Sequence, residues 1–85
     1  MHEQQAARDL NAVFTDPVSG SLAWADIESL LKACGCRIVE GKGSAVRFVH
    51  GAVIAYFHRP HPAKEAKRYQ VRAAREFLIK IGVRP

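Results

Sequence analysis

The sequence predicts an α+β fold in which two helices lie on one face of a three-stranded antiparallel sheet, in the order α-β-β-β-α. Three observations carry this prediction: apolar residues at helical spacing over 24–35, short alternating segments over 36–57, and a second helical stripe over 67–81. Two helices on one face of a small sheet bury both apolar stripes in a single layer. The length of 85 residues allows one domain rather than two.

The first well-defined helix begins at Trp24. Its apolar face is formed by residues at helical spacing, namely Trp24, Ile27, Leu30, Leu31 and Cys34. Gly35 is a typical left-handed residue for ending a helix. Residues 1–14 have only one weak apolar edge, so both a short helix and a frayed arm remain open for them, and a loop follows.

A meander of three antiparallel strands is predicted after this helix. The strands occupy residues 36–40, 45–50 and 52–57, with turns between them. In the second strand, Val46 and Phe48 face one side of the sheet and Arg47 faces the other, because side chains alternate along a strand.

A stiff, extended connector is predicted between the last strand and the last helix. The segment His58-Arg59-Pro60-His61-Pro62 holds two prolines, and each fixes its own φ and restrains the residue before it. Three residues of a polyproline-like stretch advance about 9 Å and return to the same side, so His58 and His61 are expected to face the same way. The final helix ends at Gly82.

Charge is distributed unevenly along the chain. Residues 1–31 hold one base and five acids, a net charge of −4, whereas residues 32–85 hold twelve bases and three acids, a net charge of +9, which together give +5. A basic surface on so small a body points to a polyanion, most often nucleic acid, with a solvated basic surface as the alternative. The predicted phosphate contacts are Lys42, Arg47, Arg59, Lys64, Lys67, Arg68, Arg72 and Arg75.

Several other classes of protein are disfavoured by the sequence. No apolar run approaches the roughly 18 residues of a membrane span, and the N-terminus lacks the pattern of a secretory signal. Cys34 and Cys36 are too few for a disulfide framework and lack zinc-site spacing, so we expect a cytoplasmic protein with no metal and no cofactor.

The order of elements and three short motifs resemble the HicA toxins, the messenger-RNA interferases of HicAB toxin–antitoxin systems. These motifs are the Gly41-Lys42-Gly43-Ser44 turn, the His58–Pro62 connector and the basic start of the last helix. The resemblance covers residues 24–83 and divides the chain into an N-terminal extension (1–23) and a HicA-like domain (24–85). It implies a fold like the double-stranded-RNA-binding domain, a metal-independent endoribonuclease that acts on mRNA, and a HicB-like antitoxin that covers the active surface.

One departure from the family concerns catalysis. The family turn continues Gly-Ser-His, with the histidine taken as catalytic, whereas Gly43-Ser44 is followed here by Ala45. Three explanations stay open: an engineered inactive form, a branch that uses another residue, or loss of cleavage. Histidine suits both the base and the acid of RNA cleavage, so His61, nearer the basic helix, and His58 are the remaining catalytic candidates. The alternative is that one of them caps the last helix or contacts the third strand.

The sequence therefore leaves three functions to compare. The first is a toxin endoribonuclease neutralised by a HicB-like antitoxin, disabled in this form if Ala45 replaces the catalytic histidine. The second is a non-catalytic RNA-binding module of the same fold, in which Tyr56 or Tyr69 could stack on an unpaired base. The third is an interaction protein whose residues 1–23 pack on an antitoxin.

Overall fold

Three helices and three strands make up the chain. A computed structural model describes residues 2–85, so Met1, the first residue of the predicted extension, lies outside the described residues. In chain order the elements are α1 (His2–Val13), α2 (Trp24–Ala33), β1 (Arg37–Glu40), β2 (Ala45–His50), β3 (Val53–His58) and α3 (Arg68–Lys80). The α+β class is confirmed, and every predicted strand lies within about one residue of its observed bounds.

The predicted order of elements is wrong at its start, where the structure has one more helix. The observed order is α-α-β-β-β-α, since residues His2–Val13 form a helix and not a frayed arm. Glutamine, alanine and arginine, all good helix formers, dominate this segment. Because α1 packs on α2 and α3, its weak apolar edge is stabilised by tertiary contacts that the sequence pattern does not display.

The sheet has β2 at its centre, with β1 and β3 antiparallel on either side. Val46 and Phe48 of β2 are buried on the side of the helices, and Phe57 of β3 joins them there. Alternation places the intervening residues on the opposite side, which we call the open face. The open face carries Arg37, Val39, Ala45, Arg47, Val49, Ile54, Tyr56 and His58.

The core is centred on three aromatic rings between α2 and the sheet. The ring centroid of Trp24 lies 5.2 Å from that of Phe57 and 6.2 Å from that of Phe48, and the two phenylalanine rings are 5.7 Å apart. Tilted and edge-on pairs at these distances are favourable beyond the area they bury. Gly35 and Gly82 follow α2 and α3 with φ of 91° and 85°, which confirms them as left-handed helix ends.

The N-terminal extension is attached to α3 through arginine side chains. Val13 is fully buried, and the Arg75 guanidinium donates to the backbone oxygens of Val13 and Thr15 at 3.0 Å and pairs with the Asp16 carboxylate at 3.1 Å. The same guanidinium lies 5.8 Å from the centroid of the Phe14 ring. The extension thus contributes to the core of the molecule.

Cys34 forms the C-cap of α2, and Cys36 lies just before β1. Cys34 and Cys36 are free thiols, and burial raises the pKa of Cys36 to about 11, so this thiol is protonated at neutral pH. Among the side chains that the structure describes, those of residues 4–85, no group of three His, Cys, Asp or Glu is arranged to hold a metal ion. None of the described helices has both the length and the apolar character needed to cross a bilayer.

Asp9 is a buried carboxylate on α1 with one unsatisfied oxygen. Its side chain is 4% exposed; Oδ1 accepts a hydrogen bond from Gln5 at 3.0 Å, and Oδ2 has no partner among the described residues. Burial raises the pKa of this carboxyl above its ordinary value of 3.8. The folded state therefore holds the Asp9 proton more tightly than the unfolded state does. The free energy of unfolding falls as pH rises from 3.8 to the raised pKa of the folded state.

We expect Asp9→Asn to stabilise the protein at neutral pH, because burying a neutral amide costs less free energy than burying the Asp9 carboxylate. The gain should disappear below about pH 3.8, where wild-type Asp9 is itself neutral. Urea unfolding of both proteins at several pH values measures the difference. A gain that is constant with pH, or a loss at neutral pH, would contradict the assignment.

Candidate functional site

The candidate site lies where the β1–β2 turn meets the end of β3. The turn is closed by two backbone hydrogen bonds, from Gly41 N to Ala45 O at 2.9 Å and from Ala45 N to Lys42 O at 3.0 Å. Gly43 within it has φ of 58°, a conformation that glycine adopts without strain. The turn confirms the prediction made for residues 41–44, and it delivers Ser44 and Ala45 to the end of the sheet beside His58.

Ala45 and His58 are direct cross-strand neighbours on the open face. Arg59 N donates to Ser44 O at 2.8 Å, which makes residues 44 and 59 a hydrogen-bonded pair. The next pair, Ala45 and His58, is therefore of the non-hydrogen-bonded kind, in which side chains lie closest, with Cβ atoms about 4.5–5.5 Å apart. A side chain longer than alanine at position 45 would lie beside the imidazole.

His58 is exposed, yet two other elements hold it in place. Its Nδ1 lies 3.2 Å from Ser44 Oγ of the β1–β2 turn, within hydrogen-bonding distance. Its backbone oxygen accepts a hydrogen bond of 2.7 Å from Gln70 Nε2, in the first turn of α3. Gln70 is 1% exposed and also accepts a hydrogen bond from Lys67 N at 2.9 Å. With Nδ1 engaged by Ser44, the other ring nitrogen of His58 remains for a ligand.

A pocket of about 240 Å³ adjoins Ala45 and His58. Its further walls come from Glu40, Gly41, Arg47 and Tyr56. Gly41 borders Ala45 closely, since a Cβ atom added at Gly41 would lie 3.0 Å from that of Ala45. The absence of a side chain at position 41 and the small side chain at position 45 together leave this space open.

Arg59, one of the predicted phosphate contacts, is engaged by two carboxylates. Its guanidinium pairs with Glu28 of α2 at 2.5 Å and with Glu40 of β1 at 2.6 Å. The hydrogen bonds to Glu40 and Glu28 raise the pKa of Arg59, and the same contact lowers the pKa of Glu40 below its ordinary value. Trp24 Nε1 also donates to Glu28. Arg59 thus ties the start of the connector to α2 and β1.

The other predicted bases divide into two groups. Arg68 donates from Nε to Val18 O at 3.3 Å, and Arg75 is bonded to residues 13–16, so the extension engages both guanidinium groups. The side chains of the second group are exposed: Lys42, Arg47, Lys64, Lys67 and Arg72. Lys42 lies in the turn beside Ser44 and Arg47 on the open face, while Lys67 and Arg72 belong to the start of α3.

His61 is exposed in the connector, and no hydrogen bond of its side chain is found in the described part of the chain. The predicted extended connector is wrong at this point, because the chain bends at His61 and Pro62. The spacing argument that turned His58 and His61 to the same side requires a straight polyproline-like segment and does not apply to a bent one.

Sequence reasoning missed the residues that support the site. Glu28 and Glu40 were not predicted as partners of Arg59. They lie 31 and 19 residues from it, and a local sequence pattern does not indicate pairs so far apart. Gln70 offered a weak signal, since a glutamine three residues after the N-cap position is typical of a helix start. Its second bond, to the backbone of His58, depends on the tertiary fold.

Comparison with known proteins gives one family. A model described as HicA toxin of bacterial toxin–antitoxin matches residues 24–83, which is more than half of the chain. No curated protein and no solved structure matches the sequence significantly.

Proposed function

This chain belongs to the HicA toxin family of bacterial toxin–antitoxin systems, and we propose that it acts on RNA at the end of the sheet formed by Ser44, Ala45 and His58. The observation that carries the proposal is an exposed, oriented imidazole on an open sheet face, beside exposed cations. The core order α2-β1-β2-β3-α3 supports a relation to the double-stranded-RNA-binding domain, in which RNA contacts are largely made to phosphates and 2′-hydroxyls.

In the proposed reaction a base removes the proton of a ribose 2′-hydroxyl, the 2′-oxygen attacks the adjacent phosphorus, and the P–O bond to the next nucleotide breaks. An acid protonates the leaving oxygen. An imidazole performs either task near neutral pH without a metal ion. We assign one of these roles to His58, because Ser44 and Gln70 orient it, and we keep His61 as the alternative catalytic residue.

Ala45 favours a second function for the chain in its present form. With alanine opposite His58, the proposed site holds one oriented imidazole, so either the base or the acid is lacking. A chain with this site would bind RNA and cleave it slowly or not at all, which is the non-catalytic binding module. Both functions use the same surface and differ only in chemistry.

We also propose that the antitoxin implied by the family is HicB-like and covers the open face. Ile54 and Tyr56 lie on the same side of β3 and are 43% and 70% exposed, so together they offer apolar area to a protein partner. An antitoxin seated there would cover His58 and exclude RNA.

The proposed RNA contact is tested by the salt dependence of binding. We expect a single-stranded oligoribonucleotide to bind with an affinity that falls steeply with salt, because Lys and Arg displace counterions from the phosphates. Arg47→Ala should weaken binding and make the logarithmic salt slope shallower by about 0.7 for one lost phosphate contact. Fluorescence anisotropy in a salt series measures both quantities.

The matched control is Arg8→Ala, which removes an exposed arginine from α1, the helix that packs on α2 and α3. It should leave affinity and slope unchanged. Absence of binding by the wild type, or a salt response that is flat, would refute the RNA proposal.

A further inference from the structure

The open face combines cationic and aromatic side chains in a way that the family assignment does not explain. Of its eight residues, two are arginines, one is histidine, one is tyrosine and the remaining four are aliphatic. None is acidic, although the whole chain has eight Asp and Glu residues. A surface of positive and apolar groups without carboxylates is complementary to a polyanion whose bases offer flat apolar faces.

Tyr56 is 70% exposed, more than Ile54, the other exposed large apolar side chain on this face. It lies directly opposite Arg47 of β2, and this pair is again of the close, non-hydrogen-bonded kind. Unpaired bases stack on aromatic rings, tyrosine among them, and on the planar guanidinium of arginine. The pair therefore offers adjacent stacking surfaces at a single point of the sheet.

Tyr56 is also placed next to the proposed reacting group. Tyr56 and His58 are two residues apart on one side of β3, which separates them by about 6.6 Å along the strand. Both line the 240 Å³ pocket beside Ala45. Glu40 forms part of the same wall, but its carboxylate is paired with Arg59. A nucleotide whose base rests on Tyr56 would bring its own sugar and phosphate to His58.

We propose that Tyr56 and Arg47 form a subsite for one unpaired RNA base, adjacent to the phosphodiester held at His58. This inference rests on the proposed function and adds to it the form of the substrate: RNA must be single-stranded at this point, because a paired base cannot present its face to the tyrosine. Base stacking tolerates every base, so the subsite selects unpaired structure more than sequence.

The test measures binding of a single-stranded oligoribonucleotide to the full chain and its variants. We expect Tyr56→Ala to weaken binding about tenfold, the loss of one base–aromatic stack, and Tyr56→Phe to stay within about twofold of the wild type. The matched control is Tyr69→Ala, which removes another exposed tyrosine, 58% accessible, from α3. It should bind as the wild type does.

A second readout reports the stack itself. Tyr56→Trp places an exposed indole on the open face, and its fluorescence should be quenched when the oligoribonucleotide binds, while Tyr69→Trp should show no quenching. Trp24, the one native tryptophan, is 5% exposed and supplies a constant background.

The outcomes separate the two proposals. If the wild type binds RNA with the expected salt dependence but Tyr56→Ala binds equally well, the base subsite is refuted and the RNA proposal stands. Equal losses in Tyr56→Ala and Tyr69→Ala also refute the subsite. If the wild type binds no RNA and Tyr56→Ala impairs only binding of a protein partner, both proposals fall.

Discussion

Ala45→His should raise the rate of RNA cleavage by about 10²–10⁴-fold, the usual contribution of one general acid–base group. The new imidazole would lie beside that of His58, because positions 45 and 58 are direct cross-strand partners on the open face. The 240 Å³ pocket at Ala45, bordered by Gly41, leaves room for the ring. One histidine would then serve as base while the other serves as acid.

Two control variants test whether the gain in rate comes from the acid–base chemistry of the new imidazole or only from a larger side chain at position 45. Ala45→Gln adds a side chain of similar reach without a group that titrates near neutral pH, and it should leave the rate unchanged. Ala45→His combined with His58→Ala should lose most of the gain, since the proposed mechanism needs both rings. Cleavage of a radiolabelled mRNA, followed over pH, measures the rates, and two coupled imidazoles predict a bell-shaped profile.

Two results would contradict the roles assigned to positions 45 and 58. If Ala45→His binds RNA as tightly as the wild type but cleaves no faster, position 45 does not supply the missing acid or base. If the double variant retains the full gain, His58 is not the second group, and His61 becomes the residue to replace.

Removal of residues 1–19 is expected to destabilise the protein by about 3–5 kcal/mol, a large part of the stability of so small a domain. The deletion takes away Val13, which is fully buried, and the half-buried Leu10 and Phe14 that pack against the core. It also removes every hydrogen-bond acceptor that the structure gives to the side chains of Arg68 and Arg75. The shortened chain still contains the whole segment that matches the family.

Urea unfolding of the shortened and full-length chains measures this loss. Val13→Ala should reproduce part of it, about 1–3 kcal/mol, through a cavity in the core. Arg8→Ala, on the exposed side of α1, should have no effect. An unchanged urea midpoint for the shortened chain would mean that residues 1–19 are a separable addition, as the division at residues 23 and 24 proposes.

Local patterns predicted most of the fold correctly. The spacing of Trp24, Ile27 and Leu30 gave α2, and the alternation at Val46 and Phe48 gave β2 and its buried side, because these signals arise within a few residues of one another. For α1, the local pattern does not distinguish a helix from a frayed arm, and the reason is the opposite one. Its buried residues are few, and their partners on α2 and α3 are distant in sequence.

The sequence predicted individual residues of the candidate site, but not the contacts between them. Ser44, Ala45 and His58 were singled out by the resemblance, but their mutual contact depends on the register between β2 and β3. The engagement of Arg59, Arg68 and Arg75 was not predictable, since charge counts cannot distinguish a cation facing solvent from one bonded to a carboxylate or to backbone oxygens. Arg59 and Arg75 are paired with carboxylates, whereas Arg68 stays exposed.

The two contacts that hold the ring and the backbone of His58 affect how readily the proposed site can bind RNA. Ser44 Oγ contacts its ring and Gln70 Nε2 donates to its backbone oxygen, and both residues belong to the same chain as His58. The entropy cost of ordering this residue therefore falls on folding and does not oppose the proposed binding of RNA. Under the proposed function, an antitoxin that leaves the open face uncovers a His58 that is already ordered, so we expect RNA to bind there without a prior rearrangement of this residue.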